Sequence, residues 1–360
     1  MSLLSHIKVV ELSDGLTDMG GRMLAEMGAE VAVVLPGDIR TDRARAYHHG
    51  KTVITGEPED LRTLIAGADV LLDGRRRAQG DPEDYIALNP GLVHVVAWAS
   101  MPGTPSCGAP TTDLTLMAQS GLMTIIGDPD RPPLKLPGEQ AYALTGIQAA
   151  TSAMLGLRAR RQTGRGQRID LSARQAATQA NYREAISYEW TGRIGHRPGN
   201  QLIRGKSGVT LVYPCADGHV TWSMVDNPGM MRAIVAVMVE EGVAGELAEI
   251  DWANILVADT DQQVIRRWEG IVAAFFLSHT KAELEAWSVE RGWGLSPIFD
   301  PAEVRDSAQL KARGLFVDVE TPEGTRRYPG PLFTTSLPED PPARWASDAI
   351  PARDFAWSRT

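Results

Sequence analysis

Cysteine is scarce in this chain of 360 residues: Cys107 and Cys215 are the two examples, and neither belongs to a CxxC pattern. A disulfide framework and a cysteine-based zinc site are therefore unsupported, and a reducing, cytoplasmic compartment is expected. Apolar runs are short as well. The run from Ile271 to Leu277 falls well below the roughly 18 residues of a membrane helix. Lys8 and Glu11 interrupt the segment where a signal peptide would have its apolar core, so a soluble protein without membrane association is predicted.

Positive charge is in deficit, because 36 Lys and Arg stand against 45 Asp and Glu, which gives a formal net charge of −9. Nucleic-acid binding needs a basic field, so no nucleic-acid partner is expected, although a local basic pocket for a small anion remains compatible. The seven histidines form no HExxH pattern, and no metal site is predicted. His48 and His49 are expected in a surface turn, and His94 in the core. GxSxG is absent too, which leaves α/β-hydrolase chemistry without support.

Short apolar runs alternate with helical segments over the first hundred residues. They are continuous rather than alternating, which indicates strands that are covered on both faces. Strand–helix–strand order then predicts a parallel, doubly wound α/β sheet. The predicted strands are Ile7–Leu12, Val31–Leu35, Val70–Asp73 and Leu92–Ala99.

The middle of the chain is mainly helical. Helices are predicted over 114–126 and 143–162, and a long one is predicted after Ser172 as its N-cap. A glycine- and arginine-rich segment over 192–208 indicates a linker, and a hairpin is predicted after it. We expect a large domain that begins with residues 1–200, a smaller α/β domain over 205–300, and a return to the large domain over 301–360.

Two loops of the predicted sheet are candidate ligand sites, since ligands bind at the carboxyl ends of the strands in such folds. The first loop, residues 13–21, lacks GxGxxG, and it could equally be an ordinary turn with Thr17 or Asp18 as a helix cap. The second carries Arg75, Arg76 and Arg77 after a predicted strand. Three guanidinium groups would suit a phosphate-bearing ligand, but they could also form a solvated basic loop.

The segment TGRGQRID (Thr163–Asp170) strongly resembles the class III coenzyme A transferases, the CaiB–BaiF family, which includes formyl-CoA transferase, carnitine CoA-transferase and α-methylacyl-CoA racemase. Further segments in family order extend the resemblance over about residues 6–335. They include VVEL with LAEMGAEVAVV, HHGKTVI, ADVLLDGRRR, TDLTLMAQSGLM, PCADGHVTW and PGPLF.

The resemblance implies a Rossmann-like large domain built from both chain ends, a smaller domain between them, and two chains interlocked as a dimer. It also implies that an aspartate attacks an acyl-CoA thioester, forms an acyl-enzyme anhydride and passes CoA to a carboxylic acid. Acyl-CoA and a carboxylic acid would be the substrates, with no tightly bound cofactor. The dimer could be a homodimer or a heterodimer with a related CoA-transferase chain.

This sequence departs from the family at the aspartate. Counting back from Gly146 and from Thr163, both anchors place Tyr142 at that position, and Thr112 stands where the racemases have their histidine. The phenol of tyrosine, with a pKa near 10, is a poor substitute for a carboxylate. Glu139 is three residues away and could supply the carboxylate instead.

Several interpretations of this substitution stay open. Glu139 and Tyr142 are the candidate catalytic residues, with Tyr142 as a general acid or oxyanion donor in CoA transfer or in other acyl-CoA chemistry, such as that of a racemase-like isomerase or a lyase. The chain could also be a catalytically inactive subunit of a hetero-oligomeric CoA-transferase, or Tyr142 could merely fill the pocket. The residues assigned to CoA or acyl-CoA contacts are Asp14, Gly15, Leu72, Arg75, Arg76 and Thr112.

Overall fold

The computed structural model describes residues 3–35, 41–75, 83–109, 111–321, 323–330, 336 and 349–358. The chain divides into two compact units. The larger unit comprises residues 1–124, 135–195 and 305–360, and the smaller comprises 125–134 and 196–304.

Strands occur in both units. In chain order they are β1 (Lys8–Leu12), β2 (Glu30–Val34), β3 (Thr52–Thr55), β4 (Val70–Asp73), β5 (Val93–Trp98), β6 (Gln167–Ser172), β7 (Gln201–Arg204), β8 (Ser207–Thr210), β9 (Val212–Cys215), β10 (Gly218–Thr221), β11 (Ser296–Pro297), β12 (Phe316–Thr321), β13 (Gly324–Pro329) and β14 (Ile350–Pro351).

The larger unit is built on a parallel sheet with the order β14-β3-β2-β1-β4-β5-β6. Its inner strands are buried on both faces: every residue of β4 and β5 is shielded from solvent, as the continuous apolar runs predicted. The predicted mixed α/β class with a parallel sheet is therefore confirmed. The strands β3, β6 and β14 were not predicted, since β6 is mostly polar and β14 has two residues.

The helices follow the same chain order. They are α1 (Asp18–Glu26), α2 (Asp42–His48), α3 (Pro58–Ala66), α4 (Tyr85–Leu88), α5 (Asp113–Gln119), α6 (Gln140–Thr163), α7 (Ala173–Gln179), α8 (Tyr182–Thr191), α9 (Pro228–Glu240), α10 (Gln262–Leu277), α11 (Lys281–Arg291), α12 (Pro301–Asp306) and α13 (Ala308–Ala312).

Two predicted helices were too long. The helix expected over 114–126 ends at Gln119, because Gly121 adopts a left-handed backbone with φ +82° that an α-helix cannot continue through. The long helix expected after Ser172 is divided into α7 and α8. Asn181, at the break, has non-helical backbone angles. The hydroxyl of Ser172 does accept a bond from the Gln175 amide, so its predicted role as N-cap is confirmed.

The expected surface turn at His48 and His49 is also wrong. Their exposed fractions are 2% and 5%. His49 stacks on the ring of Tyr328 in β13, with ring centroids 5.1 Å apart, and Lys51 beside them is buried in an ion pair. His94 is buried, as expected. The polar residues of this segment suggested a surface position, but they are buried because their packing partners come from distant parts of the sequence.

The smaller unit pairs β9 with β10 as an antiparallel hairpin, which the sequence predicted, and β11 adds to its edge. The helices α9, α10 and α11 supply its apolar core together with these strands. Trp222 and Phe276 meet edge to face there, with ring centroids 5.7 Å apart.

Candidate active site

The loop after β1 lies at the carboxyl edge of the sheet, between the ends of β2 and β4. Gly15 in this loop has φ +99°, a backbone conformation that favours glycine. A Cβ on Gly15 would lie 3.0 Å from Cε2 of Tyr142. The tyrosine ring therefore packs directly on the Gly15 backbone, and both the turn and the ring require a residue without a side chain.

A close contact between two helices brings the start of α6 to this loop. Gly20 in α1 faces Gly146 in α6, and a Cβ on either would approach the backbone of the other within 2.7 Å. The two backbones therefore touch, which side chains at these positions would prevent. Gly146 is one turn beyond Tyr142, so this contact holds Tyr142 against the loop.

The first turn of α6 is capped by a carboxylate from another helix. Oδ1 of Asp113, the first residue of α5, accepts bonds from the amides of Ala141 (2.8 Å) and Tyr142 (3.2 Å). Asp113 is buried, and its Oδ2 lies 3.2 Å from Nζ of Lys135. A carboxylate at a helix N-terminus satisfies free amide donors and favours the positive end of the helix dipole.

Glu139 occupies the N-cap position of α6, yet its side chain makes no capping bond. Because Asp113 takes that role, the Glu139 carboxylate is directed elsewhere. Its Oε2 accepts from Nε of Arg43 at 2.8 Å. Oε1 has no hydrogen-bond partner among the residues that the structure describes, and the Glu139 side chain is 32% exposed. Glu139 therefore presents an accessible carboxylate oxygen at the site.

Arg43, in α2, links the parts of the site. Its Nη1 donates to Oδ2 of Asp18 at 2.5 Å, and its Nη2 lies 3.4 Å from the place that a Cβ on Gly15 would occupy. The guanidinium carbon is 5.0 Å from the ring centroid of Tyr47. Arg43 thus joins Glu139 to the loop after β1 and reaches the point where the Tyr142 ring meets Gly15.

Beneath this surface lies a buried charge network. Nζ of Lys51 is 2.6 Å from Oε2 of Glu11 and donates to the Asp18 carbonyl at 2.9 Å, with both charged side chains of the pair fully buried. Thr17 donates to Glu11 at 3.1 Å, and Ser13 bonds the carboxylate of Asp18. Thr17 occupies the N-cap position of α1, as one interpretation of the loop expected, but its side chain makes no capping bond. Its hydroxyl faces the network instead.

Burial and charge shift the pKa values of this network in different directions. Burial raises the pKa of Glu11 to about 7, against the opposing charge of Lys51. Burial would also raise the pKa of Asp18, but the positive charges of Lys51 and Arg43 hold it below its usual value. Burial lowers the pKa of His48 to about 3, with Lys51 adding to the effect, so His48 is neutral near pH 7.

The end of β4 lies beside the end of β1 at the carboxyl edge of the sheet. Arg75 bonds the buried carboxylate of Asp73 through Nε (3.0 Å) and Nη2 (2.9 Å), a bond that raises the pKa of Arg75 above its usual range. The Leu72 side chain is fully buried, so only its backbone could meet a ligand. Arg76 lies outside the described residues.

The structure thus brings together the two candidate catalytic residues. Tyr142 packs on Gly15, and Arg43 connects Glu139 to the same point. Asp14 adjoins Gly15 and is half-buried. Thr112 caps α5, where its hydroxyl accepts from the Thr115 amide at 3.3 Å.

Sequence reasoning missed Arg43 and Asp113. Arg43 belongs to a short helix in a segment whose arginines look like an ordinary basic surface. Asp113 follows directly after Thr112, but only the tertiary contact with α6 shows that it is the cap of that helix.

Among the residues described, no three His, Cys, Asp or Glu side chains are grouped so that they could hold a metal ion. Within the same residues, every helix is either too short or too polar to cross a lipid bilayer.

The larger unit has a doubly wound parallel sheet, and Glu139, Tyr142 and Arg43 lie near the carboxyl edge of that sheet. Residues 4–354 match the model of CoA-transferase family III, and the chain belongs to this family.

The chain is similar to several known proteins. It is 27% identical over 354 residues to the succinate–glutarate CoA-transferase of Agrobacterium fabrum, with 89% of this chain and 86% of the relative covered. It is 25% identical to a subunit, BbsE, of the succinyl-CoA:(R)-benzylsuccinate CoA-transferase of Thauera aromatica, over 86% and 82% of the two chains. A CaiB/BaiF family protein from Brucella suis has the same fold, with a TM-score of 0.78 at 22% identity and 96% of both chains covered.

Proposed function

We propose that this protein transfers CoA between an acyl-CoA thioester and a carboxylic acid, with Glu139 as the nucleophile. Support comes first from family membership. The observation that carries the assignment to Glu139 is its geometry: an accessible carboxylate one helical turn before Tyr142, oriented by Arg43, with Oε1 unengaged in the described part of the chain.

The proposed reaction conserves atoms and charge at each step. Oε1 of Glu139 attacks the thioester carbonyl carbon, the carbon–sulfur bond breaks, and CoA leaves as the thiolate while a mixed anhydride forms. The thiolate then attacks the Glu139 carbonyl carbon, which releases the donor acid as its carboxylate and leaves a glutamyl–CoA thioester. The acceptor carboxylate repeats these two steps in reverse order, so Glu139 is regenerated and the new acyl-CoA departs.

Tyr142 is proposed as a hydrogen-bond donor to the oxyanion that forms during these attacks. The ring is held by Gly15 and by the capped first turn of α6, so its position is fixed before substrate arrives. Donors that are oriented in advance stabilise developing negative charge most effectively. A carboxylate is the better nucleophile at neutral pH, where a free tyrosine phenol is protonated and a free carboxyl group is ionised.

CoA is proposed to bind over the carboxyl ends of β1 and β4. The assigned contacts are the residues predicted from the sequence: Asp14, Gly15, Leu72, Arg75, Arg76 and Thr112. The switch point of a doubly wound sheet lies at such ends, and β1 and β4 are neighbours in the order of this sheet. Arg75 is positioned there by Asp73.

Trapping of the acyl-enzyme tests the role of Glu139. The protein is incubated with succinyl-CoA and hydroxylamine, and the modified peptide is identified by mass spectrometry. We expect a hydroxamate on Glu139, and Glu139→Gln should abolish both the adduct and turnover. Glu285→Gln, on the exposed face of α11, is the matched control and should leave both unchanged. Full turnover by Glu139→Gln, or an adduct at another residue, would refute the assignment.

A second candidate function rests on Tyr142 itself, which is only 7% exposed and which the count from Gly146 and Thr163 predicts at the position of the family aspartate. The chain would then be an inactive subunit whose partner carries the aspartate, and one of its relatives is a subunit by name. If so, the purified chain alone should show no CoA transfer with any acyl-CoA, and activity should appear on addition of an aspartate-bearing relative. Transfer by the isolated chain excludes this alternative.

A further inference from the structure

We propose that Arg43 is the binding residue for the carboxylate of the acceptor acid, and that acylation of Glu139 makes this site available. The inference rests on the proposed function of Glu139. It adds an order of events: the acid binds at Arg43 after, and not before, the negative charge of Glu139 has been removed.

The three nitrogens of the Arg43 guanidinium have different surroundings. Nε is bonded to Glu139 and Nη1 to Asp18. Nη2 borders Gly15 and has no acceptor among the described residues. Nε and Nη2 lie on the same edge of the guanidinium, which is the arrangement that holds both oxygens of a carboxylate. The Arg43 side chain is 37% exposed, so a small acid can reach this edge.

In the resting protein, charge opposes binding of a second acid. The Arg43 cation already faces two carboxylates, those of Asp18 and Glu139. An incoming carboxylate would therefore meet an excess of negative charge and an occupied Nε. Repulsion between like charges that are partly shielded from water therefore weakens binding of the acid.

Acylation reverses this balance. When Glu139 becomes an anhydride or a CoA thioester it is neutral, and Nε of Arg43 loses its ionic acceptor. Arg43 then has one carboxylate partner, Asp18, and a free edge formed by Nε and Nη2. Burial would lower the pKa of Arg43, but Asp18 and Glu139 raise it above its usual value, and the guanidinium stays charged throughout. The same edge can hold the donor acid as it leaves and the acceptor acid as it enters.

Equilibrium binding of succinate tests this inference without any turnover. Glu139→Gln is a neutral stand-in for the acylated residue, because the glutamine side chain has a similar shape and no charge. Isothermal titration calorimetry should show succinate binding to Glu139→Gln at least about tenfold more tightly than to the unmodified protein, as expected for one added charge-assisted interaction. Glu285→Gln should bind like the unmodified protein.

The double variant Arg43→Gln/Glu139→Gln should lose this gain. Arg43→Gln leaves the buried carboxylate of Asp18 without its cation and could destabilise the protein. A second double variant, Arg43→Lys/Glu139→Gln, therefore keeps a positive charge beside Asp18 but lacks the planar guanidinium that holds both oxygens of a carboxylate. It should fold and lose most of the gain. Equal succinate affinity in Glu139→Gln and the unmodified protein would overturn the proposal, as would a gain that persists in both double variants. Hydroxylamine trapping at Glu139 is a separate result, so failure of this inference is distinguishable from failure of the proposed function.

Discussion

At the scale of single residues, the site depends on the absence of a side chain at Gly15. The positive φ of Gly15 disfavours any other residue, and the Tyr142 ring occupies the space where its side chain would be. The sequence identified both residues separately, one as part of a loop and the other as a departure from a family pattern. Their contact could not be predicted, because Gly15 and Tyr142 are separated by 126 residues and no sequence pattern indicates that this ring packs on this turn.

Gly15→Ala is expected to destabilise the protein by about 1–3 kcal/mol, since backbone strain and a close contact with the ring add together. Gly103→Ala is the matched control: Gly103 also has a positive φ, of +78°, but has nothing within 4 Å of its would-be Cβ. Urea unfolding should therefore show the smaller loss for Gly103→Ala. In a Tyr142→Ala background the ring contact is absent, so Gly15→Ala should there cost only the backbone-strain part of the stability loss. Equal losses in the two glycine variants would contradict the contact.

Glu11 gives a pH dependence with a definite sign. The pKa of Glu11 is raised from 4.5 to about 7 in the folded protein, so between these values the folded state holds a proton that the unfolded state has released. The contribution of Glu11 to stability therefore falls as pH rises from about 4.5 to 7, by up to about 3 kcal/mol. Glu11→Gln removes this titration. The difference in the free energy of unfolding between the unmodified protein and Glu11→Gln should decline over that pH window.

The comparison with Glu11→Gln separates the pH dependence of stability caused by Glu11 from that caused by His48. The lowered pKa of His48 acts in the opposite direction, since its contribution to stability rises with pH between about 3 and the unfolded value of 6.5. Both proteins contain His48, so its effect cancels to first order. A difference that stays constant from pH 4.5 to 7 would show that Glu11 is ionised throughout.

At the scale of secondary-structure elements, the sequence predicted long, regular segments well and their ends less well. The strand Val70–Asp73 agrees with the structure at both ends. The helix α6 begins three residues before the prediction, at Gln140, because the cap that fixes its start belongs to Asp113 on another helix. Local sequence cannot indicate a cap that comes from elsewhere, and for the same reason it could not predict where the Glu139 side chain points.

Asp113→Ala should weaken the start of α6 by about 1–2 kcal/mol, the usual cost of losing a side-chain cap. It should also lower CoA-transfer activity, because Tyr142 and Glu139 depend on that turn. Asp113→Asn retains an acceptor oxygen for the two amides and should recover most of the stability. Thr280→Ala, which removes the cap of α11 in the smaller unit, is the control. It should lower the free energy of unfolding in urea by a similar amount but leave CoA-transfer activity unchanged. Unchanged activity in Asp113→Ala would show that the cap is not needed to position Tyr142 and Glu139.

At the scale of the whole molecule, α8 exposes several large apolar side chains. None of its residues is buried, and its exposed members include Ile186, Tyr188 and Trp190, the last at 83%. Large apolar side chains exposed together on one helix are typical of an association surface. The interlocked dimer implied by the family resemblance remains a prediction, and α8 is the surface that we expect it to cover.

Sedimentation equilibrium should therefore give a particle of twice the chain mass of 39.0 kDa. The pair of substitutions Ile186→Asp and Trp190→Ser should shift it toward the monomer, because charge would enter the apolar contact. Val289→Asp, at an exposed valine of α11, is the control and should not change the mass. If the doubly substituted protein keeps the original mass, α8 does not contribute to the association.

The sheet of the larger unit is completed by residues far apart in the chain. β14, with Ile350 and Pro351, pairs beside β3 at the edge of the sheet, whereas the other strands precede residue 173. During synthesis, the ribosome delivers all of the smaller unit before this last strand emerges. The outer edge of β3 therefore has no partner strand until residues 350–351 have been synthesised, and an unpaired edge of this kind is a general aggregation hazard for a nascent chain.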